Sequence, residues 1–126
     1  MGSTENRKRE KYWLKRRKEN LDVNMRIRRL ALNKPFREFV TIFSHLSKTG
    51  NVYTPRGLHR ACLSNGVEVS LATVYNYLKS LDSLGLIFCR FDGARTFFSL
   101  HLDNETFIRL ADMIRAQVFL ENYETL

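Results

Sequence analysis

The chain contains little of what marks secreted or membrane-spanning proteins. Its 126 residues include only two cysteines, Cys62 and Cys89, which form no recognisable pair motif. A disulfide framework is therefore not expected, and two semi-buried free thiols suit a reducing compartment. No apolar run is longer than a few residues, which predicts neither a transmembrane helix nor a secretory signal. We expect a soluble, cytoplasmic protein without a membrane partner.

Motifs of catalysis and metal binding are also lacking. The sequence has no Gly-rich phosphate loop, no nucleophile elbow and no convergent set of carboxylates or histidines, so we predict no enzyme, no catalytic residue and no cofactor. Four zinc-type ligands exist in principle, namely His59, Cys62, Cys89 and His101. No ligand pair repeats at matched spacing, and Cys62 shares a helical stripe with Leu58, as a buried free cysteine commonly does. We predict no metal site.

Acidic residues are scarce in the first quarter of the chain. Residues 1–34 hold four acidic residues against twelve lysines and arginines, whereas residues 35–126 hold nine of each kind. The whole net charge of +8 therefore lies in the N-terminal quarter. A basic segment on a neutral body favours a polyanionic partner, with nucleic acid first and an anionic membrane surface second.

Most of the chain has the pattern of helices. Residues 5–19 predict a helix or a disordered arm, and a second helix is predicted over 21–33 from the stripe of Val23, Ile27 and Leu30.

Two prolines mark the starts of two further helices. Because proline suits a first helical turn, we predict one helix from Pro35 to Lys48 and another from Pro55, after the N-cap Thr54, to Ser64. The first of these carries a core stripe of Phe36, Phe39, Val40, Phe43 and Leu46.

The stretch SLATVYNYLKSLDSLGLI, residues 70–87, predicts a helix with two unlike sides. Ser70 is its N-cap and Gly85 ends it. Its buried stripe consists of Leu71, Val74, Leu78 and Leu81, at helical spacing. The opposite side is small and polar and consists of Ala72, Thr73, Asn76, Ser80 and Ser83, with Lys79 at its flank. A helix with such a side can approach another surface closely.

Two β-rich runs follow this helix. LIFCRF at 86–91 and RTFFSL at 95–100 flank an Asp-Gly turn and predict a hairpin. The order of these elements, with helices first, then a helix-turn-helix and then a hairpin, is that of a winged helix. We predict a mainly α fold with a small β-hairpin, specifically a winged helix-turn-helix with an additional N-terminal basic helix or arm and a C-terminal helix.

Four features occur together in the helix and hairpin sequences SLATVYNYLKSLDSLGLI and FDGARTFFSL. They are a Leu-Ala-Thr-Val-Tyr run, leucines at core spacing, a Gly-Leu pair that ends the helix, and an acidic-Gly-small-basic turn. Over about residues 36–100 the chain thereby resembles the DNA-binding half of the ferric uptake regulator family. The resemblance implies that Tyr75 touches a base edge or sugar and that Tyr77 helps to fill the core. Asn76 stands where the family usually has a phosphate-contacting arginine. In the family, a metal-binding dimerisation domain follows the DNA-binding half. This chain continues instead with HLDNETFIRLADMIRAQVFLENYETL, so the resemblance does not imply metal sensing here.

The small polar side of this helix fits the major groove of DNA. The groove admits an α-helix whose leading side chains are small, and Asn can bond adenine at two points. We expect the base-reading residues to be Thr73, Asn76 and Ser80, together with Tyr75 as the resemblance implies. Contacts to the DNA backbone and from the wing are assigned to Ser70, Lys79, Arg95 and Arg56. The alternative for each charged residue is a solvated surface charge.

The basic residues of the N-terminal arm have two interpretations. They either track DNA phosphates, which adds affinity without sequence information, or form a solubilising tail. Tyr12 and Trp13 favour the first, since they can anchor a helix on a partner chain or stack on a base. The arm residues are Arg7, Lys8, Arg9, Lys11, Lys15, Arg16, Arg17 and Lys18.

The run from Asn104 to Leu120 predicts a C-terminal helix. Its broad apolar face consists of Phe107, Leu110, Ala111, Ile114, Val118 and Phe119. Part of this face packs on its own domain, and the rest suits pairing with a second copy. The expected units are a basic arm and helix at 1–34, a winged-helix DNA-binding domain at 35–100, and a packing or dimerisation helix at 101–126.

These observations predict a sequence-specific double-stranded DNA-binding protein, a small prokaryotic or viral transcription regulator that acts as a homodimer. Two-fold symmetry would match a palindromic site with half-sites near one helical turn apart. One alternative is a winged helix that docks proteins inside a nucleoprotein assembly, with the arm binding nucleic acid nonspecifically. Another is a replication or partition factor, which shares the DNA contact and differs in its consequence.

Overall fold

The computed structural model describes residues 2–124, apart from the side chains of residues 2–6, 13, 16–18, 20 and 124. Its elements are α1 (Gly2–Ala31), α2 (Lys34–Ser47), α3 (Pro55–Ser64), α4 (Leu71–Ser83), β1 (Ile87–Asp92), β2 (Arg95–Leu100) and α5 (Glu105–Glu124). The described chain is mainly helical, and an antiparallel hairpin follows α3 and α4. This is the predicted winged helix-turn-helix, with the hairpin as its wing. Among the described residues no helix is long and apolar enough to cross a membrane.

α1 differs from the predicted pair of segments. Helix is found over both 5–19 and 21–31, but the predicted boundary between two separate segments is wrong, because one unbroken helix of 30 residues spans both. No Gly or Pro interrupts residues 3–33, and a helix of good helix formers propagates readily once it has started. At about 1.5 Å per residue, α1 is about 45 Å long. Ile27 and Ala31, near its end, are buried in the domain.

Side-chain caps fix the starts of α2, α3 and α4. Asn33, Thr54 and Ser70 each accept a hydrogen bond, at 3.1 Å, from the backbone N–H three residues further along the chain. Such a cap satisfies one of the N–H groups that a helix start leaves without an intrahelical partner. α3 begins and ends at the predicted residues, and Ser70 is confirmed as the N-cap of α4.

The core is built from the stripes of five helices, including that of α1 with the buried Ile27. The buried side chains include Phe36, Phe39, Val40 and Phe43 of α2, Leu58 and Cys62 of α3, Val74, Leu78 and Leu81 of α4, and Phe107, Leu110 and Ile114 of α5. Tyr77 packs edge-on against Phe36, with ring centroids 5.2 Å apart, so its role in the core is confirmed. Leu71 and Leu46 lie at the border of the core and are half-buried. The predicted face of α5 continues beyond the core, because Val118 and Phe119 are exposed.

The wing turns at different residues from those predicted. Asp92 pairs with Arg95 across the hairpin, so the two-residue turn consists of Gly93 and Ala94 and not of the Asp-Gly pair. Gly93 has a φ of 62° and Ala94 has no positive φ, which is the pattern of a type II′ turn with glycine at its first central position. The wing is joined to the body where Tyr53 and Phe98 form a β-bridge.

A buried arginine joins three helices. Arg37 of α2 is only 3% exposed. It donates a hydrogen bond of 2.8 Å to the carbonyl oxygen of Ala31, at the end of α1. Its other terminal nitrogen forms an ion pair with Glu121 of α5 at 2.5 Å. Because a buried guanidinium is costly unless it is paired and hydrogen-bonded, these two contacts determine where α1 and α5 end relative to α2.

Arg37→Ala is expected to lower the free energy of unfolding by about 3 kcal/mol, since it leaves a void and an orphaned carbonyl oxygen. The matched control is Arg115→Ala, which removes an exposed arginine paired with Asp112 at 2.6 Å and should cost less than about 1 kcal/mol. Urea denaturation of both variants measures the difference. Equal losses in the two variants would contradict the role given to Arg37.

Candidate nucleic-acid interface

α4 turns one side to solvent. Val74, Leu78 and Leu81 hold its other side in the core. The exposed residues are Ala72, Tyr75, Asn76, Lys79, Asp82 and Ser83. Only Tyr75 is bulky, and Asp82 is the acidic residue at one edge. This side therefore stays narrow enough to enter a groove of DNA.

The predicted base-reading residues differ in how free their polar groups are. The Thr73 hydroxyl lies 2.9 Å from the Ser70 hydroxyl, and Thr73 is half-buried. The Ser80 hydroxyl donates to the backbone oxygen of Asn76 at 3.1 Å. The Asn76 side chain is exposed on the middle of the helix. Thr73 and Ser80 thus already use their hydroxyls within the chain, and Asn76 has the more accessible pair of donor and acceptor groups.

A cleft of about 520 Å³ opens between α4 and the wing. Its walls are the amino end of α3, the ring of Tyr75, and the turn and first strand residues of β2. The cleft brings together the predicted residues Arg56, Tyr75 and Arg95, which are far apart in the sequence. It does not include Ser70, Asn76 or Lys79, which lie elsewhere along α4.

Arg60 is a further cleft residue that the sequence analysis did not single out. It lines the cleft together with Arg56, and residues four apart share one side of a helix. Two arginines four residues apart, on the helix that precedes the predicted groove-binding helix, were the sequence signal that could have identified Arg60 as a DNA-contacting residue. The cleft therefore holds three arginines: Arg56, Arg60 and Arg95.

None of the three cleft arginines is paired with a carboxylate whose position is described. Within the part of the chain whose side chains are described, the ion pairs involve other residues: Lys34 with Glu38, Arg37 with Glu121, and Arg115 with Asp112. A guanidinium group presents a planar set of donors that matches a phosphate at two points. Three such groups around one open cleft make a strongly cationic site.

The basic arm lies on the amino-terminal part of α1. Arg7, Lys8, Arg9, Lys11 and Lys15 are exposed there. The side chains of Arg16, Arg17, Lys18 and Trp13 lie outside the described residues. Further along, α1 passes the carboxyl end of α4, where Arg26 donates to the Ser83 hydroxyl at 2.5 Å. The arm is therefore the extension of a helix that is tied to α4.

The four candidate metal ligands are not assembled into a site. Cys62 is buried whereas Cys89 is exposed on β1, which corrects the expectation that both thiols are semi-buried. The His59 ring nitrogen Nε2 lies 2.8 Å from the carbonyl oxygen of Val69. His101 packs its ring against Phe88, at 4.5 Å between centroids. Over the described residues, no three His, Cys, Asp or Glu side chains lie together in a metal-binding arrangement.

Comparisons with known proteins returned a matching family model and a similar solved structure. The model of one family, described as the ferric uptake regulator family, matches residues 34–113. Among solved structures, the chain is similar to the ferric uptake regulator of Vibrio cholerae, whose crystal structure is described as revealing a rearrangement of its DNA-binding domains. The TM-score is 0.40 at 19% identity, over 66% of this chain and 53% of that chain, so this chain spans about half of the regulator's length. No curated protein sequence matches the chain.

The two thiols are expected to differ in reactivity. Burial raises the pKa of the Cys62 thiol, which keeps it protonated and unreactive, whereas Cys89 is open to solvent. Iodoacetamide at about pH 8 should therefore alkylate Cys89 alone in the folded protein and both thiols in urea. Mass spectrometry of the digested protein identifies the modified residue. Protection of Cys89 by added zinc would contradict the absence of a metal site there.

Proposed function

Because the chain belongs to the ferric uptake regulator family, a family of DNA-binding transcription regulators, we propose that it binds double-stranded DNA in a sequence-dependent way and regulates transcription. The observation that carries this proposal is the cleft between α4 and the wing, whose three arginines form no ion pair within the described part of the chain. The cleft opens beside the exposed side of a helix in the helix-turn-helix position. When a helix lies in a groove of DNA, the phosphates of the DNA backbone lie beside it, which is where the cleft places its arginines relative to α4.

Base reading falls to the middle of α4. Asn76 is exposed and carries both a donor and an acceptor, the combination that recognises adenine in the major groove. Tyr75 lies between this side of α4 and the cleft, where its ring can contact a base edge or a sugar. Thr73 and Ser80 belong to the same proposed set, and to contact a base they would exchange their present hydrogen bonds for new ones.

Phosphate contacts hold the helix in place. We assign them to Arg56, Arg60 and Arg95 in the cleft and to Lys79 and Ser70 on α4. The basic residues of the arm extend these contacts along the duplex, since α1 passes the end of α4. Such contacts add affinity without reading sequence.

A homodimer completes the proposal, with two copies on two half-sites of a palindrome. In the domain division that we propose, residues 1–34 supply the arm, 35–100 the DNA-binding domain, and 101–126 a helix for packing and pairing. The family name implies iron, but the described residues gather no three metal-ligating side chains. The proposal assigns no step to a metal.

Selection of duplexes from a random pool tests the proposal. The bound duplexes should share one motif, and Asn76→Ala should weaken binding to that motif by about 1–3 kcal/mol, the usual worth of a good base contact. The exposed position and the high helix propensity of alanine leave folding unaffected. Competition assays with the selected and a scrambled duplex measure the loss.

The scrambled duplex serves as the control, since its affinity should not change with Asn76→Ala. Equal losses on both duplexes would exclude Asn76 as a base reader. Absence of any shared motif would instead support a docking module, whose arm holds nucleic acid without regard to sequence.

Salt dependence measures the proposed phosphate contacts. Each phosphate neutralised contributes about 0.9 to the slope of log K against log salt, so Arg60→Ala and Arg95→Ala should each reduce the slope by about 1. Replacing Lys8 and Arg9 of the arm together by Gln should reduce it by about 2. All of these variants should weaken binding to every duplex alike.

Arg115→Ala is the matched control, because it removes one arginine from α5, away from the cleft. Its slope should equal that of the wild-type protein. A cleft variant with the same slope as this control would remove that arginine from the phosphate contacts.

A further inference from the structure

α1 carries a line of exposed apolar side chains. Leu14, Leu21 and Met25 of α1 are each 61% or 62% exposed, and Leu32, in the turn that continues the helix, is 58% exposed. The Leu32 N–H donates to the Arg28 carbonyl oxygen at 3.1 Å, as in a further helical turn. The spacings of seven, four and seven residues between the four apolar side chains place them within about 20° of one line along the helix. We refer to these four residues as the α1 stripe.

The α1 stripe lies opposite the side of α1 that packs on its own domain. Ile27 and Ala31 are buried, and Val23 and Leu30 are packed against the core. At about 100° per residue, Val23 and Leu30 lie about 160° to 180° from the stripe, Ile27 about 140° and Ala31 about 100°. The domain uses one apolar side of α1 and leaves the second uncovered. An uncovered apolar line of this kind indicates a contact with another chain.

The spacing of the α1 stripe is that of a coiled-coil seam. Apolar residues at steps of seven, or of three and four, keep one side of a helix facing a partner helix. The spacing puts Leu14 and Leu21 at the d positions of a heptad pattern and Met25 and Leu32 at its a positions. The same pattern places Glu10 at position g.

The charges beside the stripe select a second copy of this chain. In a parallel pair, each g residue faces the e residue five positions further along the partner. Glu10 would then face Lys15. This pair is of opposite charge, and the two-fold symmetry of a homodimer makes it twice.

In an antiparallel pair, the charges beside the stripe would repel each other. The register that matches the stripe to itself, with Leu14 opposite Leu32, would place Asp22 beside its own copy and Lys15 beside Arg29. Like charges at these flanking positions oppose pairing. We propose that the α1 stripe of one copy packs in parallel on the α1 stripe of a second copy.

This inference rests on the homodimer of the proposed function and names its surface as α1 and not the end of α5. Among the exposed apolar residues of α5, Ile108, Phe119 and Tyr123 lie within about 60° of one line. The exposed ion pair of Asp112 and Arg115 interrupts this line, and Phe119 already stacks on Tyr123. From residue 7 onward, the other heptad core positions of α1 hold Arg7, Lys11, Lys18 and Arg28. Paired like charges there weaken the coiled coil, so the association depends on protein concentration.

Sedimentation equilibrium without DNA tests the surface. Leu21→Gln keeps helix propensity and charge, and it should weaken self-association at least tenfold with no change in the urea midpoint of unfolding. Phe119→Gln is the matched control on α5 and should leave self-association unchanged. If Phe119→Gln dissociates the dimer and Leu21→Gln does not, the homodimer stands and its assignment to α1 falls. A wild-type chain that stays monomeric overturns both, without affecting the DNA assays.

Two further variants test the parallel orientation. In a Cys89→Ser background, Leu14→Cys should form a disulfide-linked dimer under mild oxidation, because a parallel pair brings the two copies of position 14 within disulfide reach. Efficient cross-linking of Leu14→Cys to Leu32→Cys in a mixture would instead show an antiparallel pair and overturn the proposal. Glu10→Lys should weaken the dimer, and Glu10→Lys combined with Lys15→Glu should restore it. Failure of the double variant to restore pairing would also overturn the parallel arrangement.

Discussion

The buried guanidinium of Arg37 is the interaction on which the arrangement of the helices depends. Its partners lie far apart in the sequence, one at the end of α1 and the other near the end of α5. A buried cation tolerates few positions for its partners, because each missing hydrogen bond costs far more than it does in water. Both long helices are thereby held against α2, and α1 leaves the domain in a fixed direction.

α2 also supports the site from its other end. The Ser47 hydroxyl accepts the backbone N–H of Leu100 at 3.1 Å, and the bridge between Tyr53 and Phe98 holds the wing to the following loop. Phe36 and Phe39 pack against Tyr77 of α4. Of these supporting residues only Phe98 lines the cleft between α4 and the wing; the others shape it from behind. An interaction site held by a packed core keeps its cationic groups in place before a ligand arrives.

The order of the helices and hairpin was predictable from the sequence, because capping residues, prolines and apolar spacing are local signals. The stripe of α2 and the bounds of α3 follow directly from them. The unbroken α1 was not predicted, since the change from a charged to an apolar pattern near residue 20 suggested a boundary that the backbone does not need. Arg37 and Arg60 were missed for another reason: their roles depend on contacts with distant segments, which no local periodicity contains.

The two-residue turn of the wing determines how the cleft adapts to what enters it. Gly93 and Ala94 are the two residues that connect the paired strands, so the backbone of the wing cannot readily lengthen or bend. Adaptation must come from the long side chains of the arginines, whose rotamers change at little cost while they are solvated. The backbone of the wing is therefore stiff, and the ends of the arginine side chains are flexible. When such a protein binds a duplex, the DNA has to bend to fit it. Sequences that deform easily are therefore bound more tightly, even where they differ at positions that no side chain contacts.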